Sequence, residues 1–343
     1  MKHIPFTSIS GIRVGQVEDT QAGTGVTVLV APNGMAASID VRGGGPASRD
    51  TRVLDPLAAA ESIHAVVLGG GSAYGLDAAG GVMRCLEEKG IGLTVLPNVI
   101  VPLVCQSDIF DLGVGSATVR PDAAMGYAAC TAAFEGDAGN YQDGNFGAGC
   151  GATVGKVAGP SFAMKTGIGS AAIEVGDLQV GAIVVLNACG DIYDSRTGTK
   201  IAGARTSHDC SQLMYAALEA PKEAHKLAAP DTADDTNAST QNGTDNPGMA
   251  TNTTIGAIVT NAKLTKSQLC KLAGMAHDGY ARAIRPVHTS MDGDSIYGIS
   301  VGSVEAPLDI IGSLAADVME QAIRTACYSA DAAFDLPSAK KGE

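Results

Sequence analysis

Short apolar runs closed off by Gly, Pro or Asn set the first limit on what this chain can fold into. Residues 25–31 (GVTVLVA), 64–68 (HAVVL), 92–96 (GLTVL) and 180–185 (VGAIVV) have the length and β-branched content of strands. Several are apolar on both faces, as expected of strands covered on both sides. The filling is small-sided, with no Trp, 4% aromatic residues and 44 Gly in 343 residues. Backbones separated only by Ala, Val, Ile and Gly approach closely, so stacked layers of helix and sheet are expected. Residues 73–88 read as a helix that starts after Gly69-Gly70-Gly71-Ser72 and stops at Lys89-Gly90. Gly75, Ala78, Ala79 and Gly81 give it a small-residue face for close packing. A second helical stretch lies within 207–229, broken at Pro221.

The charge balance narrows the partners. The net charge is −13, which would repel nucleic-acid phosphates, so no nucleic-acid partner is expected. No apolar run approaches the roughly 18 residues of a membrane span. The opening MKHIP lacks the apolar stretch of a signal peptide. The eight Cys are scattered singly without a C-x-x-C pair, the pattern of a reduced, cytoplasmic protein rather than a disulfide framework.

The pattern changes abruptly at residues 229–252 (APDTADDTNASTQNGTDNPGMATN), which hold no Lys or Arg and one large apolar residue, Met249. Such a stretch reads as a flexible linker or a functional loop. Directly after it, 253–260 (TTIGAIVT) is a strong strand signal. Thr265-Lys266-Ser267-Gln268 then matches a capping box opening a helix, 295–301 returns as a strand, and 311–328 is an amphipathic helix. Neither part stands alone, so a single domain interrupted by an exposed loop is expected.

Most candidate chemistry fails on inspection. A G-x-G-x-x-G at 69–74 needs Gly where Tyr74 stands, and 147–156 (GAGCGATVGK) misses the P-loop at Cys150 and Val157. The six His show no metal-ligand spacing, no G-x-S-x-G occurs, and Asp292-Gly293-Asp294 lacks the rest of an EF-hand loop. No metal or cofactor is expected. Asn252-Thr253-Thr254 remains. A Thr hydroxyl needs a base, and a chain-terminal Thr carries one in its own α-amine, with a pKa of about 7.7–8.0. That chemistry requires the bond before Thr253 to be cut first.

The run 252–262 (NTTIGAIVTNA) strongly resembles the self-processing site of the L-aminopeptidase/D-esterase family, which includes β-peptidyl aminopeptidases and nylon-oligomer hydrolases. Further matches are 69–82 (GGGSAYGLDAAGGV), Gly155-Lys156-Val157, 184–187 (VVLN) and 282–289 (RAIRPVHT) leading into Asp292-Gly293-Asp294, so the resemblance covers about 11–330. It implies an α/β fold, a four-layer αββα sandwich similar to N-terminal-nucleophile hydrolases. It also implies cleavage between Asn252 and Thr253 into chains 1–252 and 253–343 that remain together, and tetramers of such pairs. Thr253 would be the nucleophile, and Lys156 a nearby cation that keeps its amine neutral and stabilises negative charge. Asn187 would donate to the oxyanion. Asp292 and Asp294, matching an acidic pair of the nylon-oligomer hydrolases, would orient the amine; the β-peptidyl aminopeptidases carry Ser and Glu there. Tyr74 and Phe110 are the expected substrate-binding residues.

One departure bears on rate. The family's Tyr in an I-Y-D segment is Phe110 here, and losing one oxyanion donor typically costs about 10²–10³. The expected activity is hydrolysis of small peptides, amino-acid amides or ω-amino-acid oligomers. The alternatives are an acyl transferase of the ornithine acetyltransferase type, from which Asp292-Gly293-Asp294 points away, and a catalytically weak binding homologue, supported by Phe110 alone.

Overall fold

A computed structural model describes residues 1–219 and 252–340. The expected linker before Asn252, and the helical stretch expected beyond residue 219, lie outside the described residues. Ten strands make the main sheet: β1 (Lys2–Ile4), β2 (Arg13–Asp19), β3 (Thr24–Val41), β4 (Ala47–Arg49), β5 (Ile63–Gly69), β6 (Val104–Asp108), β7 (Ile168–Val175), β8 (Leu178–Val185), β9 (Ile255–Ala262) and β10 (Ser295–Val304). The helices are α1 (Ala78–Glu88), α2 (Ala123–Ala132), α3 (Cys210–Glu219), α4 (Lys266–Ala283) and α5 (Leu308–Tyr328). Strand order is β1-β7-β8-β9-β10-β3-β5-β6-β4, with β2 on β3. The pairs β5–β6 and β9–β10 are parallel, each joined by a crossover carrying a helix, as parallel neighbours require.

The sheet doubles back at β3. Residues 24–30 pair with β2 and 26–30 with β5, whereas 36–41 pair with β10. Between them the register shifts across Pro32-Asn33-Gly34, where Pro lacks a ladder donor and Gly34 takes φ +80°. One strand thus serves two stacked sheets.

Side-chain alternation then sorts three cores. Val26, Val28, Val30, Ala65 and Val67 face α1 and α2. Leu29, Val66, Leu68, Ile183, Val185, Val259, Tyr297 and Ile299 meet between the sheets. Val180, Val184 and Ile258 face α4 and α5, through residues such as Leu272 and Met319. Helix pair, sheet, sheet and helix pair form the αββα sandwich in a single domain. The small residues act as expected: a Cβ on Gly81 would sit 1.7 Å from the Ala123 carbonyl, and one on Gly126 2.0 Å from that of Ala78, so α1 and α2 touch through backbone.

Two local expectations change. Residues 92–96 do not enter the main sheet. Leu93–Leu96 pairs with Val99–Val101 in a separate hairpin closed through Pro97-Asn98, with Leu93, Val95 and Leu96 exposed. Apolar content specified a strand but not its depth. The helix read at 73–88 begins as a 3-10 segment, Ser72–Asp77, because Gly75 lies against the Gly70 carbonyl, where a Cβ would be 1.9 Å away. The Thr265/Gln268 capping box is present at α4. Among the described residues, no helix is long and apolar enough to cross a membrane.

Candidate active site

Sheet register assembles the site. Thr253 lies two residues before the central strand β9, beside the end of β8 and the start of β10, through the pairs Val185↔Ile255 and Ile255↔Ser295. Asn187 emerges from β8 on one side, and Asp292-Gly293-Asp294 runs into β10 on the other. The Thr253 N–H donates to the Asn187 carbonyl at 2.8 Å, and the Gly293 N–H donates to the Asn252 carbonyl at 3.0 Å. Thr253 is buried, at 3% exposure. Its hydroxyl donates to that same Asn252 carbonyl oxygen at 2.5 Å, so hydroxyl and adjoining peptide bond face each other.

The 292–294 segment is clamped from behind by the glycine run after β3. Gly45 N–H donates to the Asp292 carbonyl at 2.9 Å and Gly43 N–H to the Asp294 carbonyl at 3.2 Å. A Cβ on Gly43 would lie 2.3 Å from both the Asp292 carbonyl oxygen and the Asp294 nitrogen, so only glycine permits the approach. Both carboxylates are already engaged. Asp292 Oδ2 accepts from the Thr289 N–H at 2.9 Å and hydroxyl at 2.6 Å. Asp294 Oδ1 accepts from the Thr254 N–H at 2.8 Å, and its Oδ2 lies 2.8 Å from His288 Nδ1. Burial, with repulsion from Asp294, raises the Asp292 pKa above the usual carboxylate range. Asp294 thus holds the backbone next to Thr253 through the Thr254 N–H, while Asp292 holds Thr289.

Lys156 follows Gly155, whose φ of +75° and contact with Gly203 and Ala204 exclude a side chain. Its ammonium donates to Asn187 Oδ1 at 2.7 Å and to the Asn187 carbonyl at 3.2 Å. Desolvation lowers its pKa to about 7 despite the pull of Asp292, Asp111 and Asp294. Asn187 is the hub. Its Oδ1 also accepts from the Thr153 N–H at 3.1 Å, and its Nδ2 donates to the Phe110 carbonyl at 3.1 Å. One N–H of that amide is thus committed to the backbone, leaving its second for any further acceptor. Asp111, adjacent to Phe110, accepts from the Gly71 N–H and the Thr24 hydroxyl, both at 2.7 Å, and burial pushes its pKa up to about 6.

A cavity of about 460 Å³ opens beside Lys156, lined by Phe110, Val114, Thr153, Pro160, Phe334 and Asp335 among others. Phe110 is there, as expected for substrate contact. Tyr74 is not among its lining residues. That ring is 62% exposed and lies 3.7 Å from the Arg120 guanidinium. The structure thus brings together Asn252, Thr253, Asn187, Lys156, Asp292 and Asp294, with Phe110 in the cavity wall. Sequence reading missed Thr153, the Gly293 N–H, the glycine clamp and the wall from the C-terminal segment. Backbone donors carry no residue signature, and Phe334 and Asp335 fall beyond the resembling stretch. Among the described residues, no group of three His, Cys, Asp or Glu could hold a metal ion.

The two-sheet sandwich with a buried Thr heading a central strand defines an N-terminal-nucleophile-type α/β hydrolase fold. An L-aminopeptidase D-Ala-esterase/amidase from Ochrobactrum anthropi, described as a variant of that fold, has a TM-score of 0.64 at 18% identity, covering 94% of this chain and 85% of its own. A beta-aminopeptidase from Burkholderia sp. gives 0.60 at 19%, covering 94% and 86%. The profile of peptidase family S58 matches residues 5–335, and the chain belongs to that family. An uncharacterised aminopeptidase of Mycobacterium leprae is 36% identical over 361 residues, 97% of this chain and 92% of the relative. A 6-aminohexanoate-oligomer endohydrolase of Paenarthrobacter ureafaciens is 30% identical over 327 residues, 91% and 83%. The chain is a hydrolase of amide bonds.

Proposed function

We propose that this hydrolase activates itself by cutting between Asn252 and Thr253, and then uses Thr253 as an N-terminal nucleophile on small peptides, amino-acid amides or ω-amino-acid oligomers. The observation that carries it is the Thr253 hydroxyl set 2.5 Å from the Asn252 carbonyl oxygen, an oxygen also held by the Gly293 N–H. In self-cleavage Oγ1 attacks the Asn252 carbonyl carbon, and the Gly293 N–H stabilises the oxyanion. The C–N bond breaks, the Thr253 nitrogen leaves as an amine after taking a proton, and water hydrolyses the resulting ester. The base for this first step is not the Thr253 nitrogen, still an amide. Lys156, lowered to about 7, has a neutral fraction near pH 7 and shares Asn187 with Thr253.

Once freed, the Thr253 amine takes the hydroxyl proton during attack on a substrate carbonyl and returns it to the leaving amine. The second Nδ2 hydrogen of Asn187 and the Lys156 ammonium stabilise the tetrahedral oxyanion, and water then resolves the acyl ester. Asp294, through the Thr254 N–H, keeps the nucleophile's backbone in place. A tetramer of cleaved pairs, supported by the family resemblance, and a cytoplasmic location, supported by the singly scattered cysteines, complete this reading. Denaturing mass spectrometry of purified protein tests it. Wild type should give two chains meeting at Asn252/Thr253, and Thr253→Ala a single inactive chain; full turnover by an uncut chain would refute it.

A further inference from the structure

The C-terminal segment supplies one wall of the cavity beside Lys156, through Phe334, Asp335 and Leu336. These residues form a tight two-residue hairpin, with Ala333 N–H to the Leu336 carbonyl at 3.2 Å and the reverse bond at 3.0 Å. Its tip residues, Phe334 and Asp335, take φ of +56° and +59°, a turn that favours Asn-Gly or Asp-Gly and that bulkier residues rarely adopt. The turn is fixed from behind. Lys165 N–H donates to the Pro337 carbonyl at 2.8 Å, and the Phe334 ring fills room left by Gly23 and Gly115, where Cβ atoms would lie 2.8 and 3.0 Å from it. A disfavoured backbone held this firmly aims two chosen side chains at one place.

Charge says what that place receives. The cavity walls are largely apolar, from Phe110, Val114, Pro160 and Phe334, and its two charged residues are Lys156 and Asp335. The neighbouring carboxylates are spent inside the protein. Asp292 and Asp294 hold Thr289, Thr254 and His288, and Asp111 holds Gly71 and Thr24, each carboxylate buried. Asp335 is exposed, and among the described residues no hydrogen bond or ion pair engages its carboxylate.

We propose that Asp335 binds the free ammonium of the substrate, so that this cavity takes the amino-terminal end of an amine-bearing amide while Lys156 faces the carbonyl being cleaved. The inference rests on the hydrolase reading above and deepens it. It makes the enzyme selective for a primary ammonium on the acyl side, with Phe110 and Phe334 flanking the intervening carbons. The anion–cation contact is charge-assisted and sits at a solvent-open mouth, worth about ten- to a hundredfold in affinity.

Fully processed wild type, Asp335→Asn and Asp335→Gly are compared on leucine p-nitroanilide and its N-acetyl counterpart, with hexylamine binding read by calorimetry. Both variants should lose about ten- to a hundredfold in kcat/KM on the free amine, mainly through KM, so that the preference over the acetylated substrate collapses. Hexylamine affinity should fall in parallel. Asp335→Gly, relieved of its left-handed backbone, should also melt higher than wild type, a combination that a purely structural role would not give. An unchanged preference together with unchanged hexylamine affinity overturns the assignment. If processed wild type cleaves neither anilide, the hydrolase reading fails instead, and hexylamine binding alone decides Asp335.

Discussion

Replacing Gly293 by Ala tests the geometry of the proposed self-cleavage at its tightest point. A Cβ there would lie 2.7 Å from Thr253 Oγ1, 3.1 Å from Thr253 Cγ2 and 2.8 Å from the Gly45 carbonyl oxygen. Ordinary contact begins near 3.4 Å, so the hydroxyl or the 292–294 backbone has to move by several tenths of an ångström. The backbone has little room, because Gly43 and Gly45 bond it from the other side. The hydroxyl therefore leaves its position on the Asn252 carbonyl. Misplacing a reacting group by about 1 Å costs about 10²-fold, or roughly 3 kcal/mol in barrier, while the main-chain N–H at 293 stays on the Asn252 carbonyl. Overpacking costs about 1–3 kcal/mol of stability, which a chain with this much buried core survives. The assay is a time course of precursor disappearance after a short induction, read by denaturing mass spectrometry, with near-ultraviolet circular dichroism to establish that the variant is folded. Folded Gly293→Ala precursor processed at the wild-type rate would refute the assignment of this carbonyl and hydroxyl as the reacting pair.

Two further outcomes are expected. Phe110→Tyr adds a hydroxyl in the cavity wall and should raise kcat by up to about tenfold; unchanged kcat with tyrosine in place would show that Asn187 and Lys156 already complete the proposed oxyanion site. Lys165 is fully buried, its ammonium held by the carbonyls of Gly149, Ala152 and Thr166, and desolvation lowers its pKa to about 7. The unfolded chain then binds more protons than the folded one between about pH 7 and the ordinary lysine value, so stability rises with pH across that window. Lys165→Met should flatten part of that rise in urea midpoints measured from pH 7 to 10, the remainder coming from Lys156, and an unaltered slope would show that Lys165 stays charged throughout.

How far the site could be read before folding differs from residue to residue. Thr253 was legible because a β-branched run begins where a polar stretch ends, and because only an amine-bearing Thr makes that junction chemically useful. Lys156, Asn187, Asp292 and Asp294 were legible only through resemblance, since nothing in their spacing along the chain relates 156 to 292. Beside Tyr74, Gly71 donates to Asp111 and Gly75 lies against the Gly70 carbonyl and Asp108, while the ring itself is exposed against Arg120. The partners of Asp292 and Asp294 within the folded chain, Thr254, Thr289 and His288, could not be read from their spacing.

The chain's own order of residues determined the elements and their chemistry: small apolar strands that must be covered on both faces, a capped helix at Thr265, and a threonine placed at the head of a strand, which the proposed cut would make a terminus. Those follow from local propensity, side-chain period and bond chemistry, which act between near neighbours. The tertiary structure decided what lies across from what. Bending β3 at Pro32-Asn33-Gly34 divides the sheet into two layers, and pairing β9 between β8 and β10 delivers Asn187 and Gly293 to opposite sides of Thr253. Main-chain donors, buried-carboxylate partners and the Phe334-Asp335 wall depend on distances between segments far apart in the chain, and such distances exist only after long-range pairing has been made.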